Sequence, residues 1–331
     1  MIFAELTLDE AEDTILARAV SAAALNLRKG TRLGRDHIAA LRQAGVARVL
    51  AARLEDGDLG EDEAALRIGT MLARNVMNKG AMKDDAIAAG PATAGRVNLF
   101  ACSDGVFCAD VGAVDAINGH DARISLATLR NHVRVETGQM VATVKIIPFA
   151  VPERLVGAIG VRIGERRVLA VRTFRKVHIG LIQSRLPSIR ETVLARTRDL
   201  MEKRAARSGG TIADEIRVAH EVEPLARAIA ESAAASDMVV IFSASAVADE
   251  ADTVPRAIRC AGGEILRIGI PVDPGNLLVL GRIGSKYIIA APGSARSARE
   301  NSFDGVLDRL MAGMELDAAD LARMGVGGLL L

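Results

Sequence analysis

The 331-residue chain has no tryptophan, one tyrosine and seven phenylalanines. Platforms on which bases could stack are nearly absent, so single-stranded nucleic-acid binding has little to build on. Neither sign of charge is in excess. Lys and Arg number 42 against 41 Asp and Glu, a net charge of +1. Nucleic-acid affinity is driven by phosphate neutralisation, so this balance argues against a nucleic-acid partner. Long hydrophobic runs are also missing. Runs such as Met238–Phe242 are strand-sized, far below the ~18 apolar residues of a membrane span. No membrane partner is expected. The first residues, Met1-Ile2-Phe3-Ala4-Glu5, offer no basic region followed by an apolar core, so no signal peptide is expected.

Cysteine is scarce: Cys102, Cys108 and Cys260, with no C-x-x-C pair. They read as small core residues in a reducing cytosol, and a cytoplasmic location is expected. The six-residue spacing would place Cys102 and Cys108 on one face of a continuous strand. Catalytic signatures are lacking as well. There is no G-x-x-x-x-G-K-[ST], no strand followed by G-x-G-x-x-G, and no G-x-S-x-G. The five histidines (His37, His120, His132, His178, His220) are scattered, without H-x-x-x-H or H-E-x-x-H. They read as surface or partly buried residues rather than metal ligands.

The length corresponds to about two domains, or three if one is small. Residues 1–80 read as mostly helical, with Thr7 as an N-cap before Asp9 and Glu10. Helices are expected over 35–44 and 61–72, and a strand over 46–51. Residues 81–95 read as a loop. Residues 81–172 read as α+β. Strands are expected over 96–102, 105–109 and 166–171, and two β runs around a Gly138 turn. Short helices are expected over 111–118, 125–129 and 152–158. From 173 to 331 strands and helices alternate. The strands are 177–182, 211–218, Met238–Phe242 and 264–270. The helices are Glu191–Arg207, 221–235, 252–260 and 299–311. An antiparallel pair, 277–281 with 286–291, precedes the last helix. This order predicts an α/β protein. Its C-terminal half is a three-layer α/β/α doubly wound domain, preceded by an α+β region.

In such sheets ligands bind outside the carboxyl ends of the parallel strands. Four polar segments leave strand ends here. The first is Gln183-Ser184-Arg185-Leu186-Pro187. The second runs from Ser243 through Ser245 to Asp249 and Asp252. The third is Asp273-Pro274-Gly275-Asn276. The fourth is Pro292-Gly293-Ser294-Ala295-Arg296-Ser297. In the fourth, Ser294, Ser297, Arg296 and the N–H groups of a helix starting near residue 298 can point at one anion. The same residues also suit a plain turn with a serine cap and a solvated arginine. Asp249 and Asp252 suit a magnesium ion shared with phosphate oxygens, or a helix first turn.

The order of these segments resembles the molybdopterin-binding domain shared by molybdopterin molybdotransferases, molybdopterin adenylyltransferases and the two ends of gephyrin. The likeness covers 175–313. Ser243–Asp252, Pro274-Gly275-Asn276 and Pro292-Gly293-Ser294-Ala295-Arg296-Ser297 stand at the family's G-G-x-S-x-G-x-x-D, P-G-K-P-like and P-G-N-P-x-S positions. Leu27-Arg28-Lys29-Gly30-Thr31 and Leu41-Arg42-Gln43-Ala44-Gly45 resemble a further molybdotransferase stretch. Ala142-Thr143-Val144-Lys145-Ile146-Ile147-Pro148-Phe149 and the run from Asp320 to Leu329 resemble a subgroup whose relatives can be fused to a molybdopterin nucleotidyltransferase domain. Two departures stand out. The family's glycine pair is Ser243-Ala244 here, and its T-G-D-E-L is Gln183-Ser184-Arg185-Leu186-Pro187, with an arginine in place of an acid.

The resemblance implies a molybdenum cofactor biosynthesis protein that binds molybdopterin or its nucleotide, with magnesium allowed. It implies Ser184, Arg185, Ser243, Ser245, Pro274, Gly275, Asn276, Pro292, Gly293, Ser294, Arg296 and Ser297 as ligand contacts. It implies Asp249 and Asp252 as the metal pair. The implied partners are a pterin phosphate, further copies of the chain, and a molybdopterin nucleotidyltransferase or a molybdoenzyme. Whether the chain is catalytic stays open at this point; if it is, the resemblance implies a molybdopterin molybdotransferase-like or adenylyltransferase-like transferase. The alternatives are a non-catalytic oligomeric scaffold with a decayed site, and an adenylyltransferase-like or CinA-like nucleotide enzyme.

Overall fold

A strand that is apolar on both faces is stable only inside a sheet, and Met238–Phe242 is buried at every position. In the structure, a computed structural model describing residues 1–22, 25–73 and 87–330, this run is an interior strand of a six-stranded sheet. The chain divides into two compact units, 1–103 with 107–171, and 104–106 with 172–331.

The second unit carries that sheet. Its elements are β1 (His178–Arg185), α1 (Glu191–Arg207), β2 (Thr211–Ala219), α2 (Val222–Ala235), β3 (Met238–Phe242), α3 (Thr253–Cys260), β4 (Glu264–Ile268), β5 (Val279–Ile283), β6 (Lys286–Ala291), α4 (Ser302–Met311) and α5 (Ala318–Ala322). The strand order is β2-β1-β3-β6-β5-β4. β1 runs parallel to β2 and β3, and β3 parallel to β6. β5 is antiparallel to β4 and β6. Successive side chains alternate across the sheet and divide the core. Leu181, Val240 and Phe242 pack with Met201, Phe303 and Leu307. Ile182, Val239 and Ile241 pack with Leu225, Ile229, Val254 and Ile258. Helices α1 and α4 thus cover one face, and α2 and α3 the other. This is the expected three-layer α/β/α arrangement, and its strand order reverses between β1 and β3. The chain's one tyrosine, Tyr287, lies on β6. Its hydroxyl accepts the Leu316 N–H at 2.9 Å and donates to the Leu316 carbonyl at 3.3 Å.

The first unit has two cores. Leu6, Leu16, Leu33, Leu41 and Val49 form one. It lies between helix Arg35–Gln43 and a three-stranded sheet of Ile2–Thr7, Arg48–Arg53 and Ile15–Leu16. Ile68, Leu99, Val144 and Ile159 belong to the other, built on helices Glu61–Ala73 and Glu153–Ile163 and a four-stranded sheet.

The expectation of a mostly helical 1–80 is corrected, because short strands outnumber helices among the described residues there. The capping signature at Thr7 closes one turn only. Glu10 accepts both the Thr7 N–H and its hydroxyl, but the residues before it pair antiparallel with Arg48–Arg53. The helix expected over 125–129 is strand Ile124–Thr128, paired with Met140–Ile146. Ile124 and Leu126 turn inward in alternation, a period-2 pattern that five residues state only weakly. Of the loop expected over 81–95, residues 81–86 lie outside the described residues, and 87–89 form a strand. The cysteines are not core residues. Cys102 and Cys260 are exposed and Cys108 partly so, and Cys102 lies beyond the end of strand Arg96–Ala101.

Candidate functional site at the carboxyl edge of the second sheet

Where β1 and β3 diverge, Ser184 ties the two strand ends together. Its hydroxyl oxygen accepts the Ala244 N–H at 2.9 Å and lies 2.9 Å from His220 Nδ1. Ser184 is fully buried, so its role is to hold Ala244 rather than to meet a ligand directly. The neighbouring Gln183 faces α1. Its amide nitrogen donates to the Leu194 carbonyl and to Glu215, each at 2.8 Å. Glu215 is also bound by Arg217 and Arg198. Burial pushes the Glu215 carboxyl up, but hydrogen bonds from Arg217 and Gln183 and their neighbouring charges outweigh it, so its pKa lies below the ordinary glutamate value. Arg185 is exposed, 3.5 Å from a Glu191 that pairs more closely with Arg217, at 2.7 Å. Its guanidinium is therefore loosely held.

The fourth segment differs from its expected form. Helix α4 starts at Ser302, capped by Asn301 and Asp304, and Gly293–Arg296 makes a separate 3₁₀ turn. The α4 N–H groups are thus not aimed at this turn's ligands. Arg296 is not solvated either. It donates to Thr197 Oγ1 at 2.5 Å and to the Ser243 carbonyl at 3.2 Å, and lies 5.3 Å from the Phe242 ring centroid. Among the described residues no carboxylate pairs with it. Burial holds its guanidinium below the ordinary arginine value.

Three buried oxygens in this region have no hydrogen-bond partner: Gln183 Oε1, Ser243 Oγ and Ser294 Oγ. They belong to the ends of β1, β3 and β6, which are neighbours in the sheet. An unpaired buried polar group costs about 1–3 kcal/mol. Ser243, whose carbonyl accepts from Arg296, and Ser294, in the same turn as Arg296, place two of these groups beside the cation, where a polar ligand would be stabilising.

Arg204, on α1, was not found from sequence. It is buried and spans the underside of the turn. It pairs with Asp304 at 2.8 Å and donates to the carbonyls of Ala295 and Ser297, each at 2.7 Å. Thr197 and His220 were missed too. All three are partners across 36 to 100 residues, a separation that no local motif marks.

The remaining expected residues divide. Pro274 and Gly275 lie against the start of α4. The Pro274 carbonyl accepts the Ser302 N–H at 3.0 Å and the Gly275 carbonyl accepts the Ser302 hydroxyl at 2.5 Å. Gly275 has φ +114°, and a Cβ there would stand 2.2 Å from Ser302 Oγ, so no other residue fits. Asn276 and Ser245 are exposed. Pro292 and Gly293 turn the chain out of β6, and Ser297 accepts the Arg299 N–H. Asp252 caps α3 and accepts the N–H groups of Thr253 and Ala248, while Asp249 accepts that of Ala251. Three of their four carboxylate oxygens are spent on backbone. Among the described residues, no group of three His, Cys, Asp or Glu side chains could hold a metal ion. The pair does not fit a resident magnesium ion. No helix among the described residues is long and apolar enough to cross a membrane.

No protein-family model matches the chain, and no curated protein is similar to it in sequence. Among solved structures, it is similar to a molybdopterin biosynthesis MoeA protein from Pyrococcus horikoshii. The identity is 13% and the TM-score 0.32, over 94% of this chain and 75% of that one. It is also similar to a molybdenum cofactor biosynthesis protein from Pyrococcus furiosus, at 10% identity and a TM-score of 0.28, over 95% of this chain and 66% of that one. Superpositions this loose fix neither the fold nor the activity of this chain.

Proposed function

We propose that the second unit binds a phosphorylated pterin of the molybdopterin type at the carboxyl edge of β1, β3 and β6, as a binding or handover protein of molybdenum cofactor biosynthesis. The observation that carries the anion site is Arg296, part-buried with no counter-ion among the described residues, beside the orphaned hydroxyls of Ser243 and Ser294. Removing a cation from water is costly unless a negative charge accompanies it. A phosphate ester supplies that charge, and accepts from both hydroxyls once they are uncovered, since neither oxygen is open to solvent in the ligand-free structure. Arg185, exposed and loosely held at the end of β1, adds a salt-screened attraction for the same phosphate. The pterin part of the reading rests on the sequence resemblance of the four segments.

Titration of molybdopterin, or a stable pterin phosphate, into wild type and Arg296→Met at fixed low salt tests this. The expected result is binding by wild type and a tenfold to hundredfold loss in the variant, the worth of one charge-assisted hydrogen bond. Equal affinities would remove Arg296 from the site. Failure of wild type to bind would leave the scaffold reading. That reading has its own support in the internal satisfaction of Ser184, Asp249 and Asp252.

A further inference from the structure

Residues 323–330 take no part in the sheet, yet they run beside the third segment. Asp273 and Leu329 form a parallel bridge. The Asp273 N–H donates to the Gly328 carbonyl, and the Leu330 N–H to the Asp273 carbonyl, each at 2.8 Å. Gly328 is buried at this contact. A Cβ on it would stand 2.4 Å from the Pro271 carbonyl oxygen and 2.6 Å from that of Met324. Both obstacles are backbone, so neither can give way by rotating a side chain.

From this clip a chain of contacts reaches the anion site. Asp273 precedes Pro274 and Gly275, whose carbonyls hold Ser302. Ser302 opens α4, and two residues on Asp304 caps that helix through the Asn301 N–H. Asp304 also pairs with Arg204, and Arg204 fixes the carbonyls of Ala295 and Ser297 on either side of Arg296. Apart from the backbone steps from Asp273 to Gly275 and from Ser302 to Asp304, every link is a hydrogen bond or ion pair of 3.1 Å or less.

We infer that segment 323–330 is a positioning element of the anion site and that Gly328 is its key residue, acting through Asp273, Ser302 and Arg204 on the turn that bears Arg296. The inference rests on the anion site proposed above. It assigns a role to the glycines near residue 328, which the pterin-binding reading leaves unused. Coupling of this kind needs a contiguous set of packed or bonded groups, and the contacts above supply one. Val326, fully exposed on the same segment, lies outside it.

The test compares wild type, Gly328→Ala and Val326→Ala by two readouts. The first is amide hydrogen exchange of residues 270–276 and 294–298, with β3 as the internal standard. The second is affinity for inorganic phosphate. In Gly328→Ala, exchange is expected to quicken at least tenfold in both segments with β3 unchanged, and phosphate affinity to fall by about threefold to tenfold. Val326→Ala is expected to match wild type in both. Unchanged exchange in Gly328→Ala would overturn the clip. Faster exchange at 270–276 with wild-type exchange at 294–298 and wild-type affinity would overturn its coupling to the site. If β3 also exchanges faster, Leu330→Pro, which removes the N–H that bonds Asp273 together with a side chain packed on the core and fixes the local backbone, must reproduce the loop-limited pattern or the inference fails. Absence of phosphate binding by wild type would overturn the anion site, while exchange at 294–298 would still decide whether the segments are linked.

Discussion

Two arginines grip the turn after β6, one from below and one from within, and the fold treats them differently. Arg204 stands 5.8 Å from the Phe303 ring centroid and Arg296 5.3 Å from that of Phe242. The two rings meet edge to face at 5.8 Å. Arg204 receives a buried carboxylate, Asp304, and two carbonyls. Arg296 receives a hydroxyl and a carbonyl, and among the described residues no carboxylate. Arg204 is buried and Arg296 partly buried, and only Arg204 is neutralised by a carboxylate among the described residues. On the proposed function, the second charge is the one that a bound phosphate would neutralise.

The comparison breaks most visibly at Asp304. Both members of its pair have side chains under a tenth exposed. Asp304→Ala strands Arg204 without a counter-ion, and is expected to lower stability by about 3–5 kcal/mol in urea unfolding. A loss under about 1 kcal/mol would show that Arg204 finds relief elsewhere and that the contrast is unfounded. The mirror-image change, Arg296→Met, is expected to leave the stability of the ligand-free protein within about 1 kcal/mol of wild type. Losing a partly buried charge that no carboxylate offsets relieves a desolvation cost of the same order as the two hydrogen bonds lost with it. Its effect falls on phosphate affinity instead. A large destabilisation without loss of affinity would make Arg296 a second structural clamp.

A smaller effect is expected at Glu215, whose depressed pKa links stability to acid. A carboxyl with a folded-state pKa below its unfolded value contributes stability that is full above the unfolded value, and lost as pH falls through the folded one. The ordinary value is 4.5, so the loss belongs below about pH 4.5. Glu215→Gln is expected to flatten the fall in stability between pH 5 and pH 3. Identical acid profiles would show that its bonds with Arg217 and Gln183 do not survive in solution. The smallest effect is expected at exposed Arg185. Arg185→Gln is expected to change stability by less than ~0.5 kcal/mol and to weaken phosphate binding a few-fold at low salt, an effect that added salt removes. Persistence of the loss at high salt would place Arg185 inside the site beside Arg296.

The strands of the second sheet were legible because burial on both faces leaves an unmistakable apolar run, as in Met238–Phe242 and the start of β1. Their ends were legible because Pro and Gly turn the chain there. The site's inner wiring was not. Arg204 is one of several basic residues on α1, among Arg196, Arg198, Lys203 and Arg207, and only a partner a hundred residues away distinguishes it. Arg296 looked like a surface residue because its neighbours in sequence are small and polar, whereas its neighbours in space are Phe242 and Thr197. In the first unit, Ile124–Thr128 misled because a five-residue strand draws its identity from the strand beside it, not from its own composition.

Tyr287 has an optical consequence. It is the chain's one tyrosine, there is no tryptophan, and it is anchored by Leu316 inside the second unit. Intrinsic fluorescence excited near 280 nm therefore comes from a single emitter beside the sheet and is nearly blind to the first unit. A melting curve followed by that emission would record only half of the molecule. Circular dichroism would record both, and the gap between the two curves would measure how independently the units unfold.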